Sequence, residues 1–121
     1  NYGQIIACSV TGRISADDET CGIADSNYGR IIACWFDGTL TKDKSGAIVC
    51  DNLNTITSCY WGGNVGQGVF RHHGGTVDAT KVDGTLVTWQ KAVDGMNTAL
   101  TGNDYQWTLG TGGLPVLQKK Q

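Results

Sequence analysis

The chain has 121 residues, the length of one domain, with 9 basic against 11 acidic side chains and a net charge of −2. That balance offers no basic face for phosphates, no run of about 18 apolar residues exists to cross a membrane, and 40 % hydrophobic content is too high for disorder. Glycine fills 18 positions and proline one, which asks for many turns between short strands.

From the first residue the chain repeats itself. Asn1-Tyr2-Gly3-Gln4-Ile5-Ile6-Ala7-Cys8 returns as Asn27-Tyr28-Gly29-Arg30-Ile31-Ile32-Ala33-Cys34, and more loosely as Asn52-Leu53-Asn54-Thr55-Ile56-Thr57-Ser58-Cys59. The blocks start 26 and then 25 residues apart, and Gly12, Gly38 and Gly63 follow each cysteine by four. A unit this short cannot bury a core alone, and its short apolar runs alternate with glycine and asparagine. The expected fold is therefore mainly β: a β-solenoid of parallel β-helix-like coils, 25–26 residues each, starting at Asn1, Asn27 and Asn52 and covering residues 1–63. Because Asn1 opens in register with a repeat, the chain reads as a trimmed piece of a longer array whose first coil is uncapped.

Stacked coils turn each repeat position into a ladder. Asn1, Asn27 and Asn52 are expected to form an amide ladder; Ile5, Ile31 and Ile56, and Cys8, Cys34 and Cys59, are the uniform apolar ones. Gly3, Gly29 and Asn54 are expected at a left-handed corner, since these residue types tolerate positive φ. The isoleucine and cysteine ladders lie three residues apart, so an unbroken strand would point them to opposite faces. A break near Ala7, Ala33 and Ser58, small in all three copies, removes the conflict.

Past Gly63 the repeat fades. Residues 64–75 read as a glycine-rich transition loop, and 76–86 hold one or two strands around Asp83-Gly84. Trp89, Ala92, Val93, Met96 and Leu100 then fall on one helical stripe, with Thr88 placed to cap the start and Gly102 to close the end. The helix is expected over about 88–101 and a closing hairpin over about 105–118, together capping the coils within one continuous domain.

The pattern Asn-x-Gly-x-Ile-x-x-Cys-x-x-x-Gly-x-Ile, with Cys59-Tyr60-Trp61 in the last copy, resembles the GLUG-motif repeats of large bacterial surface proteins. The run through Thr88-Trp89, Met96-Asn97, Trp107 and Gly113-Leu114-Pro115-Val116-Leu117 is similar to the segment closing such arrays. The resemblance implies a secreted or envelope-attached, adhesin-like protein at the cell surface. It carries no catalytic residues, and none is assigned.

Candidate chemistry is sparse. No C-x-x-C pair exists, so the cysteine ladder reads as apolar filler; a contact between Cys21 and Cys50, outside the ladder, ranks behind that. His72-His73 and Asp17-Asp18-Glu19 read as solvated loops, and no metal or cofactor is assigned. The lead is aromatic: Trp35 and Tyr60 share a repeat position, about 5 Å apart on neighbouring coils, a row suited to sugar rings or a protein surface unless the cap covers it. The expected function is non-catalytic: adhesion, or glycan or protein binding through a repetitive β face. A purely structural stalk end, or an accessory domain of a larger secreted enzyme, is the alternative, and the uncapped first coil offers an edge for self-association.

Overall fold

The computed structural model describes residues 1–121. The first repeat supplies β1 (Gln4–Ile6), β2 (Ser9–Ile14) and β3 (Thr20–Cys21), and the second supplies β4 (Ala24–Asn27), β5 (Arg30–Ile32), β6 (Trp35–Leu40) and β7 (Ser45–Gly46). The third gives β8 (Val49–Asn52) and a longer β9 (Thr55–Gly63), followed by β10 (Val69–His72) and β11 (Thr76–Lys81). Helix α1 (Trp89–Ala99) and the hairpin β12 (Tyr105–Leu109) and β13 (Pro115–Lys119) complete the chain. No helix is long and apolar enough to cross a membrane.

The β-solenoid expectation is overturned. The chain is mainly β with one short helix, but its strands divide among four small separate sheets of six, three, two and two strands. The physical cause lies in the segments between them: β3 and β7 are two residues long, and glycine and charged turns separate them from their neighbours before any sheet becomes continuous. Within the three sheets drawn from the repeats, pairing is parallel and follows the repeat register, with Ile5 opposite Ile31 and Ile31 opposite Ile56. Val10, Phe36 and Trp61 likewise stand opposite one another in turn.

A second correction concerns residues 64–75, expected as loop. Here β10 lies parallel to β8, with His72 opposite Asn52; β11 falls within 76–86, where a strand is expected, and lies parallel to β9, with Val77 opposite Ile56. The register slips between Val77 and Ala79, where Asp78 turns its carboxylate onto the Ser58 backbone N–H at 3.1 Å. The asparagine and cysteine that mark the other three copies are replaced here by His72 and Ala79, which hid the relation.

Backbone handedness lies elsewhere than expected. Gly3, Gly29 and Asn54 are not in the left-handed region; Ala7, Ala33 and Ser58 are, at φ of 54°, 54° and 49°. One left-handed residue between the isoleucine and the cysteine reverses the side-chain alternation, so Ile31 and Cys34 enter the same core although three apart. Gly29 is glycine for space, since a Cβ there would collide with the Gly3 carbonyl oxygen, and Gly38 stands in the same relation to Gly12.

The six-stranded sheet therefore has two covered faces. On one, Ile31, Cys34, Phe36, Ile56, Cys59 and Trp61 join Ala47, Ile48 and Val49 in one core. On the other, Ala33 and Trp35 meet Ala92, Val93 and Met96 of α1, and Trp107 of β12. Thr88 caps α1 by accepting the Lys91 N–H, while Leu100 ends it and Gly102 follows at φ 86°. The Asn97 amide clamps the backbone of Trp107 through bonds of 2.7 and 2.9 Å, and the Trp107 indole donates to the Ala33 carbonyl at 2.8 Å. That last bond joins the hairpin directly to the sheet.

Gly38→Ala is expected to lower unfolding stability by about 1–3 kcal/mol through overpacking against the Gly12 backbone. Gly66→Ala, where a Cβ meets nothing, should stay within about 0.5 kcal/mol of the parent in the same urea titration.

Candidate binding surface

The Trp35 and Tyr60 row is not a free surface. Trp35 is 3 % exposed, with Trp89 and Trp107 packed edge-on at centroid distances of 5.2 and 6.1 Å. Tyr60 is half-buried, its hydroxyl lying against Gly95 of the helix, where any Cβ would collide with it. The apolar stripe of α1 packs on this row, with Trp89 against Trp35 and Gly95 against the Tyr60 hydroxyl.

The exposed aromatic column stands one position after the asparagines. Backbone N–H groups of Tyr28, Leu53 and His73 donate to the carbonyls of Asn1, Asn27 and Asn52 at 2.7, 2.9 and 2.8 Å, which stacks Tyr2, Tyr28, Leu53 and His73 in one row. Tyr2 and Tyr28 lie face to face with centroids 4.9 Å apart and planes 6° from parallel. They are 85 % and 44 % exposed, and Leu53 is 39 % exposed.

Beneath that column the asparagine side chains form a ladder. Asn1 Nδ2 donates to Asn27 Oδ1 at 3.1 Å, and Asn27 Nδ2 to Asn52 Oδ1 at 3.0 Å. Each of Asn1 and Asn27 also accepts the N–H of the glycine two residues on, and Asn27 and Asn52 have no exposed surface. Fully bonded buried amides are rigid, so the aromatic column sits on a fixed base.

At the far end of the row, His72, His73, Asp17 and Asp18 are exposed as expected, but His73 and Glu19 are drawn into an ion cluster. His73 Nε2 lies 2.8 Å from Asp51 Oδ1, and Arg71 binds the same carboxylate through two bonds of 2.7 and 2.9 Å. Arg71 also reaches Glu19 at 2.6 Å, drawing the end of the Asp17–Glu19 triplet against the sheet. His72 ends β10, with its Nδ1 3.5 Å from Asn52 Nδ2. The Arg71 hydrogen bonds, then the His73 one, hold the Asp51 carboxyl down at about 2.

The cysteines separate by position. Cys21 and Cys50, from β3 and β8, are joined by a disulfide with Cα atoms 5.5 Å apart, the reading the sequence ranked second. Cys8, Cys34 and Cys59 are free, Cys8 exposed and the other two buried in the first core. Hydrogen bonding to Cys34 and burial push the Cys59 thiol up. A polar cleft of about 300 Å³ opens beside Thr41, Lys42, Asp43 and Asn64, but the Asn64 amide is already bonded to both backbone groups of Leu40.

No protein-family model, curated protein or solved structure matches the chain.

The Tyr2–Tyr28–Leu53 column was available from the repeat alignment, which sets those residues in one row as plainly as Trp35 and Tyr60. The ion cluster had no such signal, because the repeat pattern fades before Arg71 and only the pairing of β10 with β8 sets Arg71 opposite Asp51.

The depressed carboxyl sets an acid limb. Its folded value near 2 lies below the ordinary 3.8, so the stabilisation is complete above about pH 4 and is lost as pH falls toward 2. Asp51→Asn should flatten melting temperature against pH across that window and lower it at neutral pH.

Proposed function

We propose that this chain is a non-catalytic binding module of a bacterial surface protein, in which an aromatic column on the turns between parallel strands engages a glycan or protein. The observation carrying this reading is the exposed Tyr2–Tyr28 stack seated on a buried asparagine ladder. A rigid aromatic face already fixed by backbone bonds loses little conformational freedom on binding, and the outward face of Tyr2 is open to a sugar ring or another aromatic. The resemblance of the repeats to GLUG-motif surface proteins supports the same setting, at the cell surface or secreted. Tyr2→Ala and Tyr28→Ala should each weaken retained ligands on a glycan and host-protein array roughly two- to tenfold. An unchanged array pattern, with thermal melting intact, would remove the column from the site.

A second copy of the chain is the other partner in this proposal. Strands β1 and β2 are the two ends of the strand order in the six-stranded sheet, and an exposed strand edge is a template for further pairing. Concentration-dependent mass in light scattering is the expected result, abolished by Ile5→Lys; a monomer at every concentration overturns it.

A further inference from the structure

We propose that the reduced form of this chain binds a thiophilic divalent cation, of which zinc is the type, through Glu19, Cys21, Asp25 and Cys50. One ligand atom from each of these residues lies within 4.8 Å of the other three. A tetrahedral zinc ion with sulfur at about 2.3 Å and oxygen at about 2.1 Å sets its donors roughly 3.4–3.8 Å apart, so small side-chain movements suffice. Two thiolates favour zinc over the hard cations calcium and magnesium.

The backbone carrying these donors is fixed. Glu19 directly precedes β3, Cys21 ends β3, Asp25 lies on β4 two residues past the intervening turn, and Cys50 lies on β8, which pairs with β4. The turn is tied down by Thr20 N to Lys44 O at 3.1 Å, Gly22 N to Gly46 O at 3.0 Å, and Ile23 N to Ile48 O at 2.9 Å. All three are backbone bonds in which neither sulfur takes part. Cys50 is fully buried, whereas Asp25 is exposed, which leaves the cation a route in from solvent. Arg71 orients Glu19 by binding Oε1, leaving Oε2 free, and its positive charge offsets part of the excess negative charge of a four-anion ligand set. Asp25 Oδ1 already stands 3.5 Å from Cys21 Sγ.

Disulfide and metal are exclusive states of the same residues. A dithiol reductant breaks the Cys21–Cys50 bond, supplying two electrons and two protons and leaving as its own cyclic disulfide. The cation then displaces both thiol protons to solvent, and two metal–sulfur bonds form. The free cysteines do not compete in kind: Cys34 and Cys59 thiols donate to backbone carbonyls of Ile32 and Thr57 inside the first core.

The test is cobalt titration of protein reduced with a phosphine, desalted without oxygen, and checked for its fold by circular dichroism. Expected are a thiolate-to-cobalt absorption reaching one equivalent, its displacement by zinc, release of two protons, and no such absorption from oxidised protein. Glu19→Gln and Asp25→Asn should each weaken cobalt at least tenfold, Cys21→Ser should abolish the absorption, and Cys8→Ser should leave it unchanged. Absence of the absorption in folded reduced protein overturns the proposal. Its persistence in Cys21→Ser, or unchanged affinity in both carboxylate variants, does so equally. Should reduction unfold the chain, recovery of the native spectrum on adding cobalt supports the site, and failure to recover overturns it.

Discussion

The sign of one backbone angle organises this molecule. Positive φ at Ala7, Ala33 and Ser58 lets a short strand turn its side chains over without leaving the sheet, so that Ile31 and Cys34, and Ile56 and Cys59, feed the same core. The residues between them, Ile6, Ile32 and Ala33, are delivered to the opposite face, where helix and hairpin wait. Left-handed backbone costs an L-residue about 1–2 kcal/mol, and here it is tolerated three times at one position because two cores depend on it.

Two covered faces explain the fate of the aromatics. A sheet wetted on one side would have shown Trp35 and Tyr60 to solvent; with α1 laid across them, they become the floor of the second core. Trp61, one residue on from Tyr60, points the other way and donates its indole N–H to the Val65 carbonyl at 2.9 Å. What stays outside is the row after the asparagines. Asn27 and Asn52 beneath it are fully buried and hydrogen-bonded, so a register slip of one residue would bury unpaired amides.

Much of this was legible in the residues. The repeat marks which positions stack, the small residue marks the break, and the stripe from Trp89 to Leu100 marks the helix. The division into separate sheets was not legible, because periodicity reports which residues are equivalent and not where hydrogen bonding stops. The pairing of β10 with β8 and of β11 with β9 was hidden because His72 and Val77 stand where their partners have asparagine and isoleucine. The aromatic row at Trp35 and Tyr60 was misplaced as a free surface because only packing decides whether a helix covers it. The Cys21–Cys50 bridge joins different repeat positions, opposite Gly46 and beside Asp51, so a comparison of equivalent positions could not reveal it.

The bridge has a mechanical consequence. It closes a loop of sequence separation 29 that spans a full repeat, so tension applied at the two termini bypasses that segment altogether. Roughly 100 Å of contour, at about 3.4 Å per residue, is withheld from extension while the bond holds. The load passes instead from the first repeat, through sulfur, to the strands beneath the helix. In a surface tether this would make one repeat inextensible and confine any lengthening to the residues outside it, until a reductant releases the stored length.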